Sequence, residues 1–203
     1  SWSAAIIVGS IVATAGGLMI NLMPLTIGLT AEKYLLEHSQ LGWLASAMLF
    51  GSFVVTASAI WWVNKVRWPH AIVFSATAAA LVVLAFPFAG RFEVLLILWA
   101  CAGGCAAVCY CIAIRFLSED AEPERAFGSK MAFEIAIPAM LLLAIPVIVV
   151  PVLGYTGAMV VVAAVLVACA LPGIRLPSGP TLLSNNDRII VDGDSKYVWM
   201  ALV

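Results

Sequence analysis

Residues Ala59 to His70, AIWWVNKVRWPH, join two long apolar runs through a short turn that carries Asn64, Lys65 and Arg67. A helix apolar on every face must be enclosed by a large core or by lipid. Composition decides between them. Hydrophobic residues make up 64% of the 203-residue chain and charged residues 10%, with a mean hydropathy of +1.11. A soluble domain carries about 25% charged residues. Lipid is therefore the expected solvent.

A helix needs about 20 apolar residues to cross roughly 30 Å of hydrocarbon. Six runs are candidates: 4–29, 41–63, 71–89, 92–117, 126–150 and 154–171. Lipid offers no partner to a free backbone amide, so each is expected to be helical. The predicted fold is an all-α integral membrane protein with a six-helix transmembrane bundle over residues 1–175. A polar connector, 176–196, follows, and a seventh helix starts at 197–203. A start at Ser1 and an end inside a fresh apolar run read as a fragment of a larger bundle.

The loops predict orientation. Lys33 and Arg91 fall on one side. Lys65, Arg67, Arg115, Arg125, Lys130, Arg175, Arg188 and Lys196 fall on the other, eight against two. Basic loops stay cytoplasmic, so the N-terminus, the 64–70 turn, the 118–126 loop and the segment after 172 are expected there. The expected location is a cytoplasmic (inner) or plasma membrane, crossed several times.

Several function classes fall away at this level. The net charge is −1, and no basic, aromatic-rich soluble segment exists to bind nucleic acid. The connector's NDRIIVDGD run lacks the spacing of a calcium loop and reads as a solvated linker. Intramembrane enzymes need paired carboxylates, a His cluster or a Ser–His couple. His38 and His70 are instead in opposite loops, so no enzyme is expected. Cys101, Cys105 and Cys109 recur every four residues, interleaved with Gly103, Gly104, Ala106 and Ala107. That pattern reads as a helix-packing stripe rather than a metal site, and neither cofactor nor metal is expected. Trp61, Trp62 and Trp68 flank the basic turn and read as interface anchors.

The window Ile60-Trp-Trp-Val-Asn64-Lys65-Val-Arg67-Trp-Pro69 resembles the signature turn after the second helix of the major facilitator superfamily, with Asn64 at its acidic position. Two further stretches carry the likeness. Asn21-Leu-Met-Pro24 through Gly51 is similar to the family's end of helix one and small-residue-rich helix two. Arg115 to Gly128, with Glu119, Asp120, Pro123 and Arg125, is similar to its link from helix four to helix five. The resemblance covers residues 4–175 and implies one half of a twelve-helix secondary transporter. Such a protein moves a small-molecule solute by alternating access, with protons as a candidate coupling ion and the C-terminal helical half as a partner. A gating turn is implied at Asn64, Lys65 and Arg67, with Glu119 and Asp120 as the available carboxylates. Trp99 stands where the family's proton-coupled drug exporters carry an arginine, and their helix-five proline–glycine motif is not recognisable, so that subclass is not expected. A non-transporting sensor or assembly factor on the same scaffold is the alternative reading.

Two residues are candidates for the solute or ion. Glu134 lies well inside the fifth run, where a carboxylate is costly unless it faces a cavity or a partner. It could bind a cation, a proton or a basic group, or form a structural pair. Asn21 lies three residues before Pro24, in a helix whose carbonyl pairing the proline disturbs. Its amide could bond solute or a neighbouring helix. Arg115 is expected to snorkel to the interface or to pair with Glu119 or Glu134.

Overall fold

The computed structural model describes residues 4–120 and 122–179. The connector beyond residue 179 and the seventh-helix start lie outside the described residues. Within them the chain is helical and contains no strand. The helices are α1 (Ala4–Asn21), α2 (Met23–Tyr34), α3 (His38–Trp62), α4 (Trp68–Ala85), α5 (Phe92–Leu117), α6 (Pro123–Ala144) and α7 (Val150–Ala170). Five helical segments are long and apolar enough to cross a membrane: Ala4–Asn21, His38–Trp62, Trp68–Phe88, Phe92–Leu117 and Pro123–Arg175.

The first run is longer than its apolar residues suggest. Pro24 opens α2, and Leu22 bends slightly, with φ −90° and ψ 2°. Leu22 N–H still donates to the Leu18 carbonyl and Thr26 N–H to Leu22, each at 2.9 Å, so the helix axis continues. Helix therefore runs to Tyr34, past the expected end at Leu29. The third run likewise starts earlier, at Trp68, with Pro69 in its first turn, where no amide needs a partner.

The last apolar segment doubles back. A straight helix of 53 residues would reach about 80 Å. Ser10 donates to Ser129 Oγ at 3.2 Å, at the start of α6. Thr30, some 20 residues further along α1–α2, meets Tyr155 OH at 3.1 Å. Gly173 then lies against Ile72 and Val12, back at the first end. Pro146 and Pro151 leave backbone carbonyls unpaired, and residues 145–149 widen into a π turn. Gly154 takes φ 62°, ψ −160°, which side-chain-bearing residues avoid, and the chain reverses there.

The core gathers on α1, α4, α5 and α7. Val12, Leu18, Met19, Ile72, Trp99, Ile112 and Val162 are all fully buried. Helices α3 and α6 stand at the edge and leave Phe50, Phe53, Trp61, Ile135 and Leu143 exposed. In water such faces would aggregate; for a membrane-spanning chain they are ordinary.

Glycine sets the tightest crossing. A methyl group on Gly51 would strike the backbone of Ala100, and one on Gly103 would strike the Met48 carbonyl, so α3 and α5 touch backbone to backbone. Gly103→Ala should destabilise the bundle by about 1–3 kcal/mol through overpacking. Gly42→Ala, with nothing within 4 Å of the added carbon, should leave stability unchanged or raised. Thermal unfolding in detergent compares the two.

Candidate functional site

Four helices line a small cavity of about 230 Å³ whose wall is mostly apolar but carries several polar side chains. Gly16, Gly17, Ile20 and Asn21 come from α1, Ser52 and Thr56 from α3, Ala107 and Tyr110 from α5, and Glu134 from α6. The two residues singled out for solute or ion, Asn21 and Glu134, thus share one space. Glu134 lies 11 residues into α6, about 17 Å from its start.

Proline explains part of the cavity's polarity. Pro138 sits inside α6 and has no N–H for the carbonyl of Glu134, four residues earlier. Asn21 Nδ2 approaches that carbonyl oxygen at 3.4 Å. Pro24 likewise cannot pair with the Ile20 carbonyl, and Ile20 lines the same cavity. Asn21 itself is exposed at the end of α1, so its amide serves both the neighbouring helix and the open space.

Glu134 is not alone in the apolar layer. Lys130, one turn earlier on α6, is 3% exposed and brings Nζ to 2.6 Å from Glu134 Oε2. It also donates to Tyr110 OH at 2.7 Å and lies 4.7 Å from the centre of that ring. Lys130 was counted with the charges of the basic side although it falls inside the 126–150 run; it lies seven residues into α6 and is buried against Tyr110 and Glu134. The charge asymmetry between the two sides therefore rests on fewer loop residues than the count implied. The i, i+4 spacing of Lys130 and Glu134 was the readable signal for the pair.

Glycine brings the pair to α1. A carbon added to Gly17 would lie 2.5 Å from Glu134 Oε1, and one on Gly16 would lie 2.5 Å from the Tyr110 backbone nitrogen. No side chain on α1 separates the carboxylate or Tyr110 from that helix.

The gating candidates divide into two sets. Arg115 Nε donates to Asn64 Oδ1 at 3.2 Å, and its Nη2 pairs with Glu119 Oε1 at 2.9 Å. Those three residues come together across α3 and α5. Lys65 and Arg67 are exposed and form no ion pair with Glu119 or Asp120 among the described residues. Asp120 Oδ1 instead accepts the Glu122 N–H at 3.0 Å. Arg115 does not reach Glu134; Lys130 holds that place.

Three tryptophans differ from expectation or bear on it. Trp68 is fully buried rather than an interface anchor. Its Nε1 donates to the Val63 carbonyl at 2.8 Å and locks the basic turn, while its ring meets Phe116 edge to face. Trp61 is 66% exposed, as an anchor requires. Trp99 is buried and stacked on Phe86 at 5.3 Å. Along the cysteine stripe, Cys101 is exposed, Cys105 part-buried and Cys109 buried, with Cys109 Sγ 3.2 Å from Ser75 Oγ.

No family model, curated protein or solved structure matches the chain.

Breaking a buried ion pair costs about 3–5 kcal/mol because one charge is left unpaired, whereas removing both charges costs far less. Lys130→Met and Glu134→Gln should each lower the melting temperature clearly. The double variant K130M/E134Q should lose much less than the sum. Additive losses in a double-mutant cycle would show that the two groups do not act as a pair.

Proposed function

We propose that this chain forms one half of a secondary transporter that carries a small solute through the cavity between α1, α3, α5 and α6. On this reading Pro123–Arg175 supplies two crossings, giving a six-helix half. A second helical half would complete the cavity on its open side. The observation that carries the proposal is the cluster of Asn21, Tyr110, Lys130 and Glu134 beside a cavity. Buried ionisable groups are costly in lipid and mark transport pathways by default.

The cavity offers an amide, hydroxyls and a carboxylate whose charge Lys130 balances. Its net charge is near zero, which suits a neutral or zwitterionic solute better than a strongly charged one. A volume of about 230 Å³ suits a solute smaller than a typical drug. Solute or proton binding at Glu134 would loosen its contact with Lys130 and Tyr110 and so bias α6 against α5. A ligand shifts such an equilibrium only by its difference in affinity for the two states.

Proteoliposomes holding the full-length protein would be tested with labelled sugars, amino acids and amines, with and without a pH gradient. Uptake of at least one solute above protein-free vesicles is expected, and Asn21→Ala should reduce it by about tenfold, the loss of one hydrogen bond of roughly 1.4 kcal/mol. Glu134→Gln should abolish the pH-driven part. Absence of any flux would favour the sensor or assembly-factor reading.

The turn at Asn64 gives a second test. Asn64→Asp would replace a neutral contact to Arg115 with an ion pair, at a position exposed enough to limit the gain to about 0.2–1 kcal/mol. In a transporter gated here, it should slow solute exchange while raising the melting temperature slightly.

A further inference from the structure

A second and larger space lies on the outside of the bundle. It is an open groove of about 870 Å³ along α4, whose lining includes Val66, Arg67, His70, Phe74, Thr77 and Ile174. Its walls are almost wholly apolar, and its basic groups gather at one end. Arg67 immediately precedes α4 and His70 lies in its first turn. Arg175, which follows Ile174 in the chain, is exposed beside the same end.

Three observations specify an occupant. First, neither the Arg67 nor the His70 side chain has a hydrogen bond or ion pair among the described residues, and no carboxylate lines the groove. Second, the charged end is held in place, because the buried Trp68 anchors the turn through its 2.8 Å bond to the Val63 carbonyl. Third, the length fits. Thr77 lies 10 residues beyond Arg67, about 15 Å along a helix, half of a hydrocarbon layer of about 30 Å. A groove with cations at its mouth and one leaflet's depth of apolar wall matches a phospholipid.

We propose that this groove holds one anionic phospholipid, with its phosphate against Arg67 and His70 and an acyl chain along α4 as far as Thr77. The site rests on the membrane-spanning character of the chain and is independent of whether the protein transports a solute. Unpaired cations favour a net negative headgroup over a zwitterionic one, and the positive end of α4 adds to the attraction. An extended peptide strand would find few polar partners along these walls.

The full-length protein, purified in detergent, is offered equimolar dioleoylphosphatidylglycerol and dioleoylphosphatidylcholine, and retained lipid is read by native mass spectrometry. Wild type should retain the phosphatidylglycerol at least fivefold over the phosphatidylcholine. Arg67→Gln should lower that preference about fivefold, the loss of one basic group near an anionic headgroup. Lys33→Gln, at the opposite end of the bundle, should leave it unchanged and controls for folding and net charge. Inorganic phosphate at the same concentration should not displace the lipid. Equal retention of the two lipids by wild type would overturn the proposal. An unchanged preference in Arg67→Gln would do so too, as expected if a downstream segment of the chain covered the groove. Full displacement by inorganic phosphate would also overturn it, since the acyl wall would then contribute nothing.

Discussion

Backbone contact along α5 sets the geometry of everything around it. Lipid tails are as apolar as leucine, so no hydrophobic force draws spanning helices together, and close packing must do it. Gly103 admits the Met48 carbonyl of α3, Gly51 admits the Ala100 backbone, and Gly16 admits the backbone of Tyr110. Three helices thus meet without intervening side chains over one stretch of α5. The same closeness puts Gly17 against Glu134 and leaves the cavity at the point where α1, α3 and α5 converge. Larger residues at these glycines would open the bundle and move Tyr110 away from Lys130.

The buried charges depend on that packing in turn. Lys130 is 3% exposed, and its Nζ is satisfied by a carboxylate on its own helix and a phenol on α5. Neither charge would be tolerable at this depth alone. Together they are nearly neutral, and the pair can sit one turn from Pro138, which disrupts the same stretch of helix. Charge, proline and glycine therefore cluster at one level of the bundle. Elsewhere the buried side chains are largely hydrocarbon, with hydroxyls such as Thr14 and Thr26 bonded back to their own helix.

Sequence was most readable where length and polarity agree. Helix α5 spans Phe92–Leu117, the residues its apolar run marks out, because Arg91 precedes it and Ser118, Glu119 and Asp120 follow. It was less readable where proline sits at a helix start. Pro69 and Pro123 permit a first turn that hydropathy does not register, so α4 and α6 both begin earlier than their apolar residues. Lys130 was misjudged for another reason: counting basic residues by side does not register that a lysine inside an apolar run can be buried by a carboxylate one turn away. Trp68 was misread for a related reason: a tryptophan beside basic residues resembles an interface anchor, yet its N–H can equally satisfy a turn carbonyl. Asn21 and Glu134 were separately visible as polar residues in apolar runs. Their meeting in one cavity was not, since only the tertiary crossing of α1 and α6 brings positions 113 residues apart within hydrogen-bond range.

The turn at 63–67 meets the end of α5 through a neutral side chain. Arg115 takes a neutral contact from Asn64 of the turn and finds its carboxylate in Glu119, two residues beyond the end of α5. Asp120 is engaged by the Glu122 amide. Neither carboxylate pairs with Lys65 or Arg67 among the described residues, so both cations face outward. An acid at position 64 would exchange the neutral contact to Arg115 for an ion pair. The amide instead lets one short turn contact α5 with its neutral side while its positive side stays open toward the membrane surface, where anionic headgroups can supply the missing countercharge.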